Sequence, residues 1–389
     1  MIADRAWIER NIGVNPTSLP IPKSAFAVPT AAATSASLED LQREIIDFDS
    51  EGSEGAAFLA FTKATGLSRF VDIAWPNGFA PTPATRAPAG GAKPLPRADV
   101  LIVTWTVDEG HALSRVLTPG KDSRNDYIPY THNYTTLSKQ MSKGSPAVQA
   151  KRLGTFWTTT IGAKKAVVFK SDSHLSQDTN KHFPEDGQLP NAELWKQIIG
   201  EVQPKLVLTT GTAGGIGKNF EVGDVVVSPV VRFDSTSWLK KATFASAHYT
   251  SHAAQTKFFS QAKDLFKANA SQLPPDNTRQ PAITVVTPAG LARSIVTTDF
   301  FGFDTSDDHF KLQGLGDASE MGDAVLGMVV QSLDDPPAWL AIRNVSDPQI
   351  AAEGTLKQQA QAAATIYKAY GRWSSVCSAI VCWAAVAAL

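Results

Sequence analysis

The sequence predicts an α/β fold with a mixed sheet, and three observations carry that expectation. From Ala98 onward, short apolar β-rich runs alternate with stretches of helical period. Of the 389 residues, 43% are hydrophobic and 19% charged, enough to close a sizeable core. One run, Leu206 to Val227 (LVLTTGTAGGIGKNFEVGDVVV), passes from an apolar strand through small residues into a second strand. Glycines at the end of a strand let backbone N–H groups approach a ligand closely, because no Cβ intervenes. That is the layout of a small-molecule site at the carboxyl edge of an α/β sheet.

Composition excludes several classes. A net charge of −1 gives no electrostatic basis for binding nucleic acid or an anionic membrane. The two cysteines, Cys377 and Cys382, suit one helix face, and a reducing, cytoplasmic compartment is the simpler expectation. No segment reaches the roughly 18 apolar residues of a membrane span, and Asp4, Arg5, Glu9 and Arg10 interrupt any signal-like pattern at the start.

Two regions are expected, an extension over 1–97 and a domain over 98–389. Pro, Ala, Ser and Thr dominate Pro16 to Ser37 and Pro76 to Pro96, which is linker composition. Between them Ser37 caps a helix with Leu41, Ile45, Ile46 and Phe48 on one side, and a second short helix covers Gly55 to Thr65.

At Ala98 the character changes. Asp99 to Thr106 reads as a buried strand, and Asp108-Glu109-Gly110 leads into a helix from His111 to Leu117, stopped by Pro119-Gly120. Read alone, Glu109 is an acid favoured at a helix N-terminus by the macrodipole. Tyr127 to Ser145, with Tyr130, His132 and Tyr134, reads as a long loop over the site or at an interface. Arg152 to Thr160 and Lys165 to Lys170 are strands around a turn at Ile161 to Lys164. Asp172, His174, Asp178 and His182 then cluster, but irregular spacing in a polar loop is a weak metal signature. Asn191 to Val202 is amphipathic and feeds the strand at Leu206, whose glycines Gly211 to Gly215 read as a turn.

Pro229 to Asp234 continues the β region, Phe244 to Asn269 reads as helical, and Ile283 to Thr287 as a strand. Ile295 to Thr298 leads to Asp299-Phe300-Phe301. Ala318-Ser319-Glu320-Met321-Gly322-Asp323-Ala324 opens a helix through Leu326 and Val329. Trp339 to Asp347 is a last strand carrying Arg343 and ending Ser346-Asp347. A helix from Glu353 to Ala388 closes the chain, with a break expected at Gly371.

No Lys-Ser/Thr pair follows the central glycines, which removes a P-loop, and the run opens toward a strand rather than a helix, which removes a Rossmann fingerprint. Four segments in order do resemble the purine nucleoside phosphorylase and nucleosidase superfamily, its methylthioadenosine/adenosylhomocysteine nucleosidase branch in particular. They are TTGTAGG with Thr212, Ala213 and Gly214, the Thr-Thr-Asp-Phe-Phe run ending at Phe301, Glu320-Met321, and Arg343 followed by Ser346-Asp347; Glu109 after the first strand matches the opening of that branch. The resemblance covers about residues 98 to 389. It implies a three-layer phosphorylase/hydrolase-like fold around a mixed central sheet, an N-glycosidase acting on a purine nucleoside or nucleotide, a homo-oligomer, and neither cofactor nor metal.

By that resemblance Asp347 is the general acid at purine N7, Glu109 orients the attacking water, Phe301 walls the base and Met321 packs on the sugar. Two departures stand out. Thr298 replaces a usual glycine, and Gly322 replaces the glutamate that grips the ribose hydroxyls, leaving Asp323 as the expected substitute. Phosphorolysis and a non-catalytic nucleotide sensor are the rival readings. The stretch after Val103 lacks an arginine- and glycine-rich phosphate site, which favours water.

Overall fold

The computed structural model describes residues 73–85, 91–175, 189–252, 258–269, 279–286 and 293–389. Its strands are β1 (Thr82–Pro83), β2 (Val100–Thr104), β3 (Ile128–Tyr130), β4 (Gly154–Ile161), β5 (Lys164–Ser171), β6 (Leu206–Gly215), β7 (Val225–Ser228), β8 (Val230–Asp234), β9 (His248–Thr250), β10 (Ile283–Val285), β11 (Ile295–Thr298), β12 (Ala318–Glu320) and β13 (Ala338–Asp347). The helices are α1 (Val107–Leu117), α2 (Tyr134–Leu137), α3 (Pro146–Ala150), α4 (Pro190–Val202), α5 (Phe258–Asn269), α6 (Asp323–Gln331) and α7 (Leu356–Ala387). The two helices expected before residue 66 lie outside the described residues.

All thirteen strands join one mixed sheet, with the path β1-β4-β5-β2-β6-β12-β11-β8-β9. At its centre β2, β5, β6 and β13 run parallel. Alternation along these strands builds three layers. Val100, Ile102, Leu206 and Leu208 pack toward α1, α5 and α7, while Leu101, Val103 and Val207 pack with Trp195 of α4 and Leu326 of α6 in a separate cluster. The α/β class and the mixed central sheet expected from the sequence are therefore what the chain forms.

Several local expectations are corrected. The glycines of β6 do not turn; the strand continues to Gly215, paired with β13 as far as Gly214 and with β12 at Gly214 and Gly215. His248–Thr250 is a strand against β8 rather than helix. Glu320 ends a strand, and α6 begins only at Asp323. Helix α7 runs unbroken through Gly371 for 32 residues, since one glycine costs only about 1 kcal/mol in a helix supported along its length. It starts on a capping box of Thr355 and Gln358, and both cysteines are buried on it as free thiols. No helix among the described residues is long and apolar enough to cross a membrane.

The 127–145 stretch is not a loose loop. Tyr130 is fully buried, its hydroxyl donates to Glu201 at 2.8 Å, and the Leu95 N–H meets the same carboxylate at 2.6 Å. Residues before β2 also hold to the sheet and to α7. Trp75 lies 5.0 Å from the Trp383 ring, whose Nε1–H donates to the Phe79 carbonyl at 2.7 Å, and β1 pairs with β4.

Candidate active site

The carboxyl ends of β2, β5, β6 and β13 converge, and the segments around β11 and β12 close over them. Together with Tyr367 of α7 they line an open cavity. Every site residue expected from the sequence lines it except Asp323: Glu109, Thr212, Ala213, Gly214, Phe301, Glu320, Met321, Arg343, Ser346 and Asp347.

Glu109 sits in the first turn of α1 and is 3% exposed. Its Oε2 accepts from Thr104 Oγ1 (2.9 Å), the Trp105 N–H (3.1 Å) and the Thr106 N–H (2.9 Å), the last being half of a capping box. Its Oε1 accepts from the N–H and the hydroxyl of Thr212, each at 2.7 Å. The capping role and the cavity role thus fall to different oxygens of one carboxylate. Gly211 makes this possible: its φ is +149°, and a Cβ there would collide with the Glu109 carboxyl. Burial alone would raise the Glu109 pKa, but the Arg343 charge and the bonds from Thr106 and Thr212 outweigh it and hold the group below its ordinary value, as an anion.

Asp347 ends β13. A register shift between Val345 and Asp347 brings it opposite Gly214 of β6, the kind of irregularity that re-aims a side chain beside a site. It is 4% exposed, and Ser346 Oγ donates to its Oδ1 at 2.7 Å. Burial pushes its pKa up to about 7, against a small opposing effect of the Ser346 bond. One cavity therefore contains a carboxylate held below its ordinary pKa and a carboxyl raised to about 7.

Arg343 lines the same cavity. Its Nε and Nη2 donate to the two oxygens of Asp323 at 2.8 and 2.6 Å, and Nη2 also reaches Glu320 Oε2 at 3.1 Å. This corrects the expectation for Asp323. Helix α6 begins with its carboxylate turned away from the cavity, fully buried, and both oxygens are taken by the guanidinium. Burial disfavours the Arg343 charge, but Asp323 and Glu320 hold its pKa above the ordinary value. Glu320 is pushed up to about 8 by burial and by the Asp323 charge; it accepts from Thr297 Oγ1 and from the Asp323 N–H.

The sequence did not single out Trp105, Thr106, His174, Thr298, Gly302, Ser319 or Tyr367 as cavity residues. Trp105 and Thr106 were foreshadowed only by their place between the first strand and Glu109. His174 belongs to the candidate metal cluster. That cluster does not form around Asp172, whose oxygens are bound by Arg152 at 2.6 Å and by Lys170; Asp178 and His182 lie outside the described residues. Burial lowers the His174 pKa to about 4, so the cavity holds it as neutral imidazole at neutral pH.

The fold and the paired carboxyls define a class, and sequence comparison names it. A family model described as the phosphorylase superfamily matches residues 132–381. The chain belongs to the phosphorylase superfamily, with β2 and Glu109 lying ahead of the matched segment. Solved structures similar to it include the 5′-methylthioadenosine/S-adenosylhomocysteine nucleosidase of Neisseria meningitidis in complex with methylthio-immucillin-A, at 16% identity and a TM-score of 0.47, covering 75% of this chain and 100% of that one. The futalosine hydrolase of Helicobacter pylori matches at 15% identity and a TM-score of 0.46, over 75% and 97% of the two chains. The S-adenosylhomocysteine nucleosidase of Streptococcus pyogenes in complex with 5-methylthiotubericidin matches at 14% and 0.46, over 76% and 98%. No curated protein matches the chain in sequence.

Proposed function

We propose that the protein hydrolyses the N-glycosidic bond of a purine nucleoside or nucleotide and releases the free base. The observation that carries this reading is the pairing of Asp347, protonated up to about pH 7, with the ionised Glu109 in one cavity.

In such a reaction the C1′–N9 bond breaks through an oxocarbenium-like state and its electron pair passes to the purine. Asp347 delivers its proton to N7 and stabilises that leaving group. Water adds to C1′, and its proton passes to Glu109. Five donors already meet about four lone-pair sites on this carboxylate. The Thr212 hydroxyl is the donor on the cavity side that is able to rotate away, so the water takes its place on Oε1. Phe301 offers the base a stacking face, worth about 1–3 kcal/mol by analogy with single-stranded nucleic acid.

The charge of the cavity favours water over phosphate as the acceptor. Arg343 is the one cationic side chain among the described lining residues, and Asp323 and Glu320 engage it. A phosphate dianion would enter beside Glu109 with no uncommitted cation to meet it.

The test is base release from a panel of purine nucleosides and 5′-nucleotides in phosphate-free buffer. Release without phosphate supports hydrolysis. Release only on adding phosphate would establish phosphorolysis, and binding without release on any substrate would leave a sensor.

A further inference from the structure

One wall of the cavity is an indole, and it is fixed from several sides. The Trp105 backbone N–H is held by Glu109 Oε2 at 3.1 Å. Its ring packs edgewise on Trp195, with centroids 6.1 Å apart at 65°. Arg343 Cζ lies 4.7 Å from the ring centroid, in cation–π contact. Gly322 supplies the remaining space: a Cβ there would stand 3.3 Å from Trp105 Cζ2 and 3.5 Å from Cε2, with Glu320 Oε2 at 3.6 Å. A side chain at 322 would therefore start in contact with the ring.

The carboxylates around this wall are committed to the protein. Asp323 gives both oxygens to Arg343. Glu320 meets Thr297, the Asp323 N–H and Arg343, and Glu109 Oε2 is held by three donors of its own segment. Trp105 itself brings a single donor and no acceptor. A sugar hydroxyl brought against the ring exchanges water for an apolar face.

We propose that Trp105, seated in the space Gly322 leaves, is the specificity-determining wall for the sugar, and that the cavity accepts 2′-deoxyribo substrates as readily as ribo substrates. This rests on the N-glycosidase reading for its substrate class.

The experiment compares adenosine with 2′-deoxyadenosine in two ways: kcat/KM for the wild-type chain, and calorimetric binding to the Asp347→Asn variant. The expected ratio is within about threefold by both measures. A site that bonds the 2′-hydroxyl through a carboxylate would separate the pair by about tenfold or more. A Trp105→Ala/Gly322→Glu double variant, with the ring removed and a carboxylate in its place, is expected to regain at least that tenfold ribo preference. Trp105→Ala alone is not. Wild-type preference for adenosine above tenfold, in turnover or in binding, would overturn the proposal while leaving hydrolysis standing. Equal binding without turnover would uphold the indole wall and remove the N-glycosidase reading. Binding of neither nucleoside at millimolar concentration would overturn both.

Discussion

Replacing Asp347 with Asn should stabilise the protein above neutral pH while abolishing turnover. The ordinary carboxyl pKa is 3.8, and burial raises that of Asp347 to about 7. Well below pH 3.8 the group carries its proton in both folded and unfolded chains, so its ionisation adds no difference between them. Between those values the unfolded chain ionises while the folded one retains the proton, and stability falls as pH rises. Above about 7 the group is ionised in both states and the loss is complete. At about 1.4 kcal/mol per tenfold step, the full loss is on the order of 4 kcal/mol. Asn has no proton to lose and still offers Oδ1 to the Ser346 hydroxyl. Denaturant midpoints measured from pH 4.5 to 8.5 should therefore favour Asp347→Asn by an amount that is small at the acid end and grows to a plateau above pH 7. Glu109 and Glu320 titrate in both proteins and cancel to first order. A stability difference that does not change with pH would refute the claim that Asp347 is a buried, proton-holding group.

Other predictions follow from the same contacts. The kcat/KM profile should fall above about pH 7, approaching tenfold per pH unit, as Asp347 loses the proton it donates; a flat profile from pH 6 to 9 would count against it. Glu109→Gln should lose stability as well as activity, because an amide NH₂ must face either Thr212 N–H or the three donors on the other oxygen. The cost is about 1–3 kcal/mol for each donor left without an acceptor, read from the melting transition. Arg343→Met should cost about 3–5 kcal/mol by leaving Asp323 buried and unpaired. Arg343→Met/Asp323→Leu should recover most of that loss, and failure to recover would show that the pair does more than neutralise itself.

The strands were legible because buried parallel strands carry continuous apolar runs, as in Val100–Thr104 and the first half of Ala338–Asp347. Gly211 to Gly215 misled, since local preference favours a turn where pairing with β13 and β12 holds the chain extended. The short strand His248–Thr250 was hidden for the same reason: its partner, β8, lies outside its own sequence window. In the site, Glu109 and Asp347 were visible because one follows and the other ends a recognisable strand, and Arg343 because that last strand carries it. The side of Asp323 was not visible, because only the folded chain brings Arg343 across from β13 to take both its oxygens. His174, Tyr367 and Trp105 come from three separate elements that meet only through the sheet order. No motif of local spacing could have grouped them.

The most direct test of the account is the origin of the oxygen at C1′ of the sugar product. A purine nucleoside is turned over once in H₂¹⁸O containing millimolar phosphate, and the sugar is analysed by mass spectrometry. The account predicts free sugar carrying one ¹⁸O, released together with the purine base, and loss of both products in Asp347→Asn. A sugar 1-phosphate without the label would contradict it, because phosphate rather than water activated at Glu109 would then be the group that attacks.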